Sequence, residues 1–278
     1  MVYLKEPNRE KVIETGSKDG ISFAAVGMQG WRINMEDSHI ANLEFAPDCS
    51  IFGVFDGHGG VEVAQFCKRN LESKLKELQT FQDKNWEQAL IDSFLKMDEI
   101  LESDEGKNAM QEIAKQFPKQ KSALEQAIMQ VTNPNAEGTT DDKNDKPLSA
   151  EQLDGKGCTA VVVLMFKDVL YCANAGDSRA VLAQNGVAKD LSEDHKPALE
   201  REKARIHKAG STITPEGRVD GNLNLSRSIG DLRYKKNKSL KPEEHPVTAY
   251  PEVEKVERAD DQDFIVIACD GIWETKTS

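Results

Sequence analysis

At two places an apolar run ends in an acid beside a glycine. Ser50-Ile51-Phe52-Gly53-Val54-Phe55 stops at Asp56-Gly57-His58-Gly59-Gly60, and Asp263-Phe264-Ile265-Val266-Ile267-Ala268-Cys269 stops at Asp270-Gly271. A carboxylate at the mouth of a buried strand can hold a hard cation. The Gly57 carbonyl, with no Cβ to keep an ion away, can add a further oxygen ligand. Taken alone, each Asp-Gly reads more readily as a turn after a strand. Other acids extend the set: Glu36-Asp37 behind Gly30-Trp31-Arg32, Asp177 in Gly176-Asp177-Ser178-Arg179, and Asp231 in Ser228-Ile229-Gly230-Asp231. Paired acids can hold metal-bound water, and the Arg32 fork suits phosphate. The competing readings are a surface salt bridge between Arg32 and Glu36 and a turn cap at Asp177. Oxygen ligands select Mg²⁺ or Mn²⁺ over zinc, and no cysteine or histidine cluster competes. The chemistry read from the residues alone is a divalent cation acting on a phosphate.

The elements that would carry these residues follow from periodicity. Residues 5–20 are polar and expected to be loosely held, and a first strand runs from Ile21 to Gly27. The alternation of Ser38-His39-Ile40-Ala41-Asn42-Leu43 is a half-buried strand. Beyond Asp56 the period becomes helical, with Val61, Val63, Ala64, Phe66, Cys67, Leu71, Leu75 and Leu78 on one stripe. A second helix spans about Trp86 to Leu101, and a weaker helical pattern covers Asn108 to Val131. Residues 132–156 lack periodicity and are rich in Asn, Asp, Gly and Lys, so a disordered insert is expected there, inside one domain spanning 1–278. Cys158 to Phe166 and Val169 to Ala173 form a hairpin across Lys167-Asp168, followed by a strand from Ala180 to Gln184 and the turn Asn185-Gly186. Pro197 to Ala209 reads as a helix closed by Gly210, and Ser211 to Asn224, carrying Arg218, as a mobile Gly-rich loop. Short strands with helices grouped between them indicate an α+β fold of antiparallel sheets.

Composition narrows the partners. The chain has 278 residues, 36 basic and 48 acidic, a formal net charge of -12. That balance argues against nucleic acid or an anionic membrane, both of which need a basic face. No apolar run approaches the ~20 residues of a membrane span, and no signal peptide or N-terminal Gly acceptor is present, so a soluble intracellular protein, cytoplasmic or nuclear, is expected. The five cysteines, Cys49, Cys67, Cys158, Cys172 and Cys269, read as reduced core thiols.

The motifs resemble a known family as a set. Gly30-Trp31-Arg32-Ile33-Asn34-Met35-Glu36-Asp37, Phe55-Asp56-Gly57-His58-Gly59-Gly60, Gly176-Asp177-Ser178-Arg179, Leu225-Ser226-Arg227-Ser228-Ile229-Gly230-Asp231 and Ala268-Cys269-Asp270-Gly271-Ile272-Trp273 occur in the order of the protein phosphatase 2C family. The resemblance implies an α-β-β-α sandwich, two antiparallel sheets flanked by helices, with a binuclear Mg²⁺ or Mn²⁺ centre at one edge. Asp56 resembles the ligand bridging both metals, the Gly57 carbonyl a ligand of the first, and Asp231 and Asp270 ligands of the second. Glu36 and Asp37 would hold metal-bound waters, Arg32 the phosphate, and His58 would protonate the leaving seryl or threonyl oxygen. Asp177 with Asp231 resembles a weaker third metal site, and Arg218 falls in a flap that touches substrate. The implied reaction is attack on phosphoserine or phosphothreonine by a metal-bridging hydroxide, with no phosphoenzyme.

The resemblance runs to Trp273, whereas relatives continue through a further helix and strand. The sheet presenting Asp270 is therefore expected to lack a neighbour and to leave an edge unpaired. A catalytically silent module that binds phosphoproteins or a regulator is the alternative function, although every ligand position is filled. The expected partners are phosphoprotein substrates, and the expected state is a monomer. His39, His195, His207 and His245 have no assigned role.

Overall fold

In the computed structural model, which describes residues 3–118 and 147–278, the chain opens with a hairpin of β1 (Asn8–Lys18) and β2 (Ile21–Gly30). This corrects the expected loose segment over residues 5–20. The connecting Asp19 and Gly20 both take positive φ (49° and 80°), the geometry that two-residue hairpins favour. Strand β1 is exposed on nearly every residue, so it has no buried face to impose an apolar alternation.

A five-stranded antiparallel sheet forms the centre. Its order is β12 (Glu252–Glu257), β8 (Val169–Ala175), β7 (Ala160–Phe166), β4 (Cys49–Phe55), β3 (Ser38–Ala46). Lys167 adopts φ 51°, which lets Lys167-Asp168 join β7 to β8 with Phe166 opposite Val169. One face packs on α1 (Glu62–Glu77), the short α2 (Gln79–Gln82), α3 (Trp86–Glu102) and α4 (Asp104–Gln116) through residues including Phe66, Leu71, Leu90, Phe94 and Leu101. Asn85 and Ser103 cap α3 and α4 by accepting hydrogen bonds from the Gln88 and Gly106 backbone N–H groups. Helix α4 begins earlier than expected, and Phe117 leaves helical geometry after it; residues 119–131 of the expected helix lie outside the described residues.

The other face packs on a second antiparallel sheet of order β10 (Val187–Asp190), β9 (Arg179–Gln184), β13 (Gln262–Ala268). Val161, Val163 and Leu170 meet Ala180, Leu182, Ile265 and Ile267 between the sheets. The layers therefore run helix, sheet, sheet. Strand β13 lies at an edge, its outward Phe264 and Val266 exposed, and among the described residues no helix covers that side. A groove of about 1300 Å³ separates β13 from β2, walled by Phe23, Val163, Leu182 and Ile265. This is the α+β architecture of antiparallel sheets and helices that was expected.

A third, minimal sheet positions the site. Strands β5 (Gly57–His58) and β11 (Ile229–Gly230) pair on either side of β6 (Gly157–Cys158). The strand expected over Cys158 to Phe166 is thus broken at Thr159. Of the disordered insert expected over 132–156, residues 147–156 are described, and α5 (Ala150–Asp154) there opens with a capping box between Ser149 and Gln152. Residues 132–146 lie outside the described residues. Helix α6 (Glu200–Lys208) starts three residues after Pro197, and Gly210 follows it at φ 88°. The segment 211–224 corrects the mobile loop that was expected. Val219 bridges Ile213 and Leu223, and Val219 and Leu223 are buried with Ile206 and Val247 in a separate apolar cluster. Cys269 leads into a last short helix, α7 (Asp270–Trp273). Among the described residues no helix is long and apolar enough to cross a membrane.

Candidate metal centre

Asp56 leaves the end of β4 and is gripped through its backbone. Its N–H donates to Thr159 Oγ1 (3.2 Å), its carbonyl accepts from the Thr159 N–H (2.9 Å), and Thr159 Oγ1 lies 2.7 Å from Ser178 Oγ. The break in the strand at Thr159 is what allows this clamp. Gly57 is explained by a close approach, because a Cβ there would lie 2.4 Å from the Glu36 carbonyl oxygen. A Cβ on Gly157 would sit 2.2 Å from Asp231 Oδ2 and 2.6 Å from His58 Nε2. Two glycines therefore let the Glu36, Asp56 and Asp231 segments converge.

The convergence concentrates negative charge. Asp37 and Asp56 face each other as half-buried like charges, which favours the protonated form of the pair. Burial, then the charges of Asp37, Asp270 and Asp177, push the Asp56 carboxyl up to about 9. Burial likewise raises Asp37, with Cys269, Asp56 and Arg32 pulling it down. Carboxylate oxygens of Asp37 and Asp56 and the Cys269 sulfur all lie within 4.8 Å of one another. Cys269 is half-buried with Sγ 3.5 Å from Asp37 Oδ2, and burial followed by Asp37 raises its thiol, so its neighbours are carboxylates as well as core. The other four cysteines are buried, and all five are free thiols.

Asp231 is fully buried in a left-handed conformation, φ 49°. Its Oδ2 takes a hydrogen bond from Ser228 Oγ and lies 2.6 Å from His58 Nε2; its Oδ1 is buried with no hydrogen-bond partner. Burial favours the neutral acid, but His58, Ser228 and Lys235 hold Asp231 below the ordinary carboxylate value. Burial alone would depress the His58 imidazole; the charge and hydrogen bond of Asp231, with Asp177 and Glu36 beyond, raise it. Asp177 is buried and paired with Lys196, yet burial and Asp270 keep its carboxyl raised.

The predicted residues divide in two. Glu36, Asp37, Asp56, Gly57 and Asp270 line the groove with the exposed Arg32, and His58, on β5, links them to Asp231, its partner, and to the charges of Asp177 and Glu36. Arg218 stands apart: it is exposed, and Nη1 donates to the Asn222 carbonyl of its own turn (2.6 Å), which holds the side chain locally. Sequence reasoning missed Thr159, Ser178, Lys196 and the buried pair Lys156–Glu62, whose ammonium also donates to the Gly59 carbonyl (2.9 Å). Of these, only the Gly157-Cys158-Thr159 break offered a local signal.

The carboxylates are suited to a divalent cation. They supply hard oxygen donors, one buried oxygen of Asp231 lacks any partner, and burial with the neighbouring carboxylates raises the Asp56 carboxyl for want of compensating charge. The family model for protein phosphatase 2C matches residues 21–115 and 105–278. The chain belongs to the protein phosphatase 2C family. It is 43% identical to "Probable protein phosphatase 2C 3" of Paramecium tetraurelia over 98% of this chain and 80% of that protein. It is 40% identical to "Probable protein phosphatase 2C 58" of Oryza sativa subsp. japonica over 100% of this chain and 76% of the relative. The crystal structure of a serine-threonine phosphatase 2C from Toxoplasma gondii has the same fold, with a TM-score of 0.60 at 18% identity over 99% of this chain and 84% of that one. Membership makes this chain a phosphatase, in a family that is metal-dependent.

Proposed function

We propose that the chain, as a single catalytic domain, hydrolyses phosphoserine and phosphothreonine in proteins with two Mg²⁺ or Mn²⁺ ions held by Asp56, the Gly57 carbonyl, Asp231 and Asp270. Glu36 and Asp37 hold water beside them, and Asp177 with Asp231 offers a weaker third position. The observation that carries the reading is the convergence of carboxyls: oxygens of Asp37 and Asp56 lie within 4.8 Å of each other and of the Cys269 sulfur, and Asp231 Oδ1 is buried without a partner. Burial and the charges of Asp37, Asp270 and Asp177, which push the Asp56 carboxyl up to about 9, agree with a site short of positive charge. When bound, the cations would supply the Lewis acidity that makes a water nucleophilic near neutral pH and offsets charge on the phosphoryl oxygens.

The chain's own groups do the rest. Arg32, exposed in the lining of the groove, binds phosphoryl oxygens through its planar fork and turns the phosphorus toward the acids. His58 holds a proton at Nε2 against Asp231 and donates it to the seryl or threonyl oxygen as the P–O bond breaks. Water attacks phosphorus directly, so no residue is phosphorylated. Arg218, exposed on its own turn, would meet the substrate chain outside the reacting group.

Hydrolysis of a phosphothreonine peptide with and without Mn²⁺, then with EDTA, tests this reading. Turnover that needs Mn²⁺ and stops with chelator is expected. Absence of turnover from folded, Mn²⁺-saturated protein would contradict it and favour a silent binding module.

A further inference from the structure

Helix α3 turns an apolar face to the core, with Phe94, Met97 and Leu101 fully buried, yet Asp98 stands in the middle of it. Its side chain is 15% exposed, and it is paired with Lys235, whose side chain is 6% exposed. A buried ion pair is weak evidence for stability, since apolar residues of like volume serve as well. The remaining bonds of the pair give it another role. Asp98 Oδ1 accepts the Gly230 N–H (2.7 Å), and Lys235 Nζ donates to the Ser228 carbonyl (2.8 Å). Both backbone groups belong to the turn that ends in Asp231.

That turn needs holding. Asp231 occupies the left-handed region, which costs a residue bearing a Cβ on the order of 1 kcal/mol and persists only where surroundings enforce it. Its own N–H donates to the Lys156 carbonyl (2.7 Å), securing one side. Asp98 and Lys235 secure the other. Ser228, fixed by Lys235, donates from Oγ to Asp231 Oδ2 (2.6 Å) and so sets the direction of the carboxylate whose Oδ1 is left without a partner.

We propose that Asp98 is a positioning residue: together with Lys235 it fixes the Ser228–Asp231 turn so that the Asp231 carboxylate is preorganised for a divalent cation. The inference rests on the reading of Asp231 as a metal ligand.

Titration calorimetry of Mn²⁺ into metal-free protein tests it, using wild type, Asp98→Ala, Asp231→Asn and the double variant. Asp98→Ala should weaken, by about tenfold, the binding step that Asp231→Asn removes, the scale on which outer-sphere partners act. Binding that survives in Asp231→Asn should be unchanged by Asp98→Ala, and the double variant should match Asp231→Asn alone. Should Asp98→Ala not fold, Asp98→Asn with Lys235→Met keeps the acceptor for Gly230 and leaves no buried unpaired charge but removes the bond from Lys235 to the Ser228 carbonyl. The Asp231-dependent Mn²⁺ step should then weaken by about threefold or more, and wild-type affinity would overturn the positioning role. Unaltered Mn²⁺ affinity in Asp98→Ala, or an equal loss in the Asp231→Asn background, would overturn the role of Asp98 alone. Wild-type protein that binds no Mn²⁺ would overturn both this inference and the reading beneath it.

Discussion

The acidic cluster around Asp56 and the ion network around Glu202 are both buried charge, but only the second is balanced. Glu202 is 1% exposed and accepts from Arg227 Nη2 (2.7 Å) and Arg205 Nη2 (2.7 Å). Burial pulls the Glu202 carboxyl up, and the two arginines more than reverse it, leaving the group well below its ordinary value. Around Asp56, burial and like charges act together, and nothing within the cluster opposes them sufficiently. A network whose charges cancel inside the protein holds α6 to the 226–227 backbone and the Glu252 strand. A cluster whose charges do not cancel is arranged for something the protein binds.

The contrast can be broken at either end. Asp56→Asn or Asp231→Asn should lower kcat by at least about a thousandfold, about 4 kcal/mol at the transition state, with most of the fold kept; phosphopeptide turnover and circular dichroism together check this. Near-normal turnover in either variant would refute the metal assignment. Glu202→Gln leaves Arg205 and Arg227 buried without their carboxylate and should destabilise the fold by about 3 kcal/mol, read by urea unfolding, while turnover per folded molecule is maintained.

The two regions also respond oppositely to pH. The Asp56 carboxyl lies higher folded than unfolded, so the stability it contributes is complete below about 4 and is lost as pH rises through about 9. The Glu202 carboxyl lies lower folded, so its contribution is present above the ordinary Glu value and lost only in strong acid; Glu252, held near about 2 first by His195, whose Nε2 lies 3.4 Å from its Oε2, behaves likewise. Metal-free protein should therefore lose stability between neutral pH and pH 9 in thermal scans, and Asp56→Asn should flatten that slope. The smallest effect is expected at Arg218, whose guanidinium is engaged in its own turn: Arg218→Ala should change turnover of a short phosphopeptide by less than about twofold.

Legibility in the sequence followed how locally each feature is determined. The strand ending at Asp56 and helices α1 and α3 have continuous or periodic apolar faces, so a short window contains the reason they form. Strand β1 has no such face and exists through pairing with β2. Two local signals imply elements absent from the expectations. Ser149 and Gln152 have capping-box spacing at α5, and Asn185-Gly186, both at positive φ, forms the turn that requires a returning strand at β10. For the site, glycine-flanked acids were readable as types and order. Their supports were not, because Thr159 reaches Asp56 across 103 residues and Asp98 reaches Gly230 across 132, contacts that no spacing rule contains.

The central claim is that the acidic cluster is deficient in positive charge and that a divalent cation corrects the deficit at Asp56. Proton release on Mn²⁺ binding, measured at neutral pH by calorimetry in buffers of different ionisation enthalpy, tests it most directly. Wild-type protein should release the Asp56 proton as the ion binds, and Asp56→Asn should not. Binding without proton release, or equal release from the variant, would contradict the account.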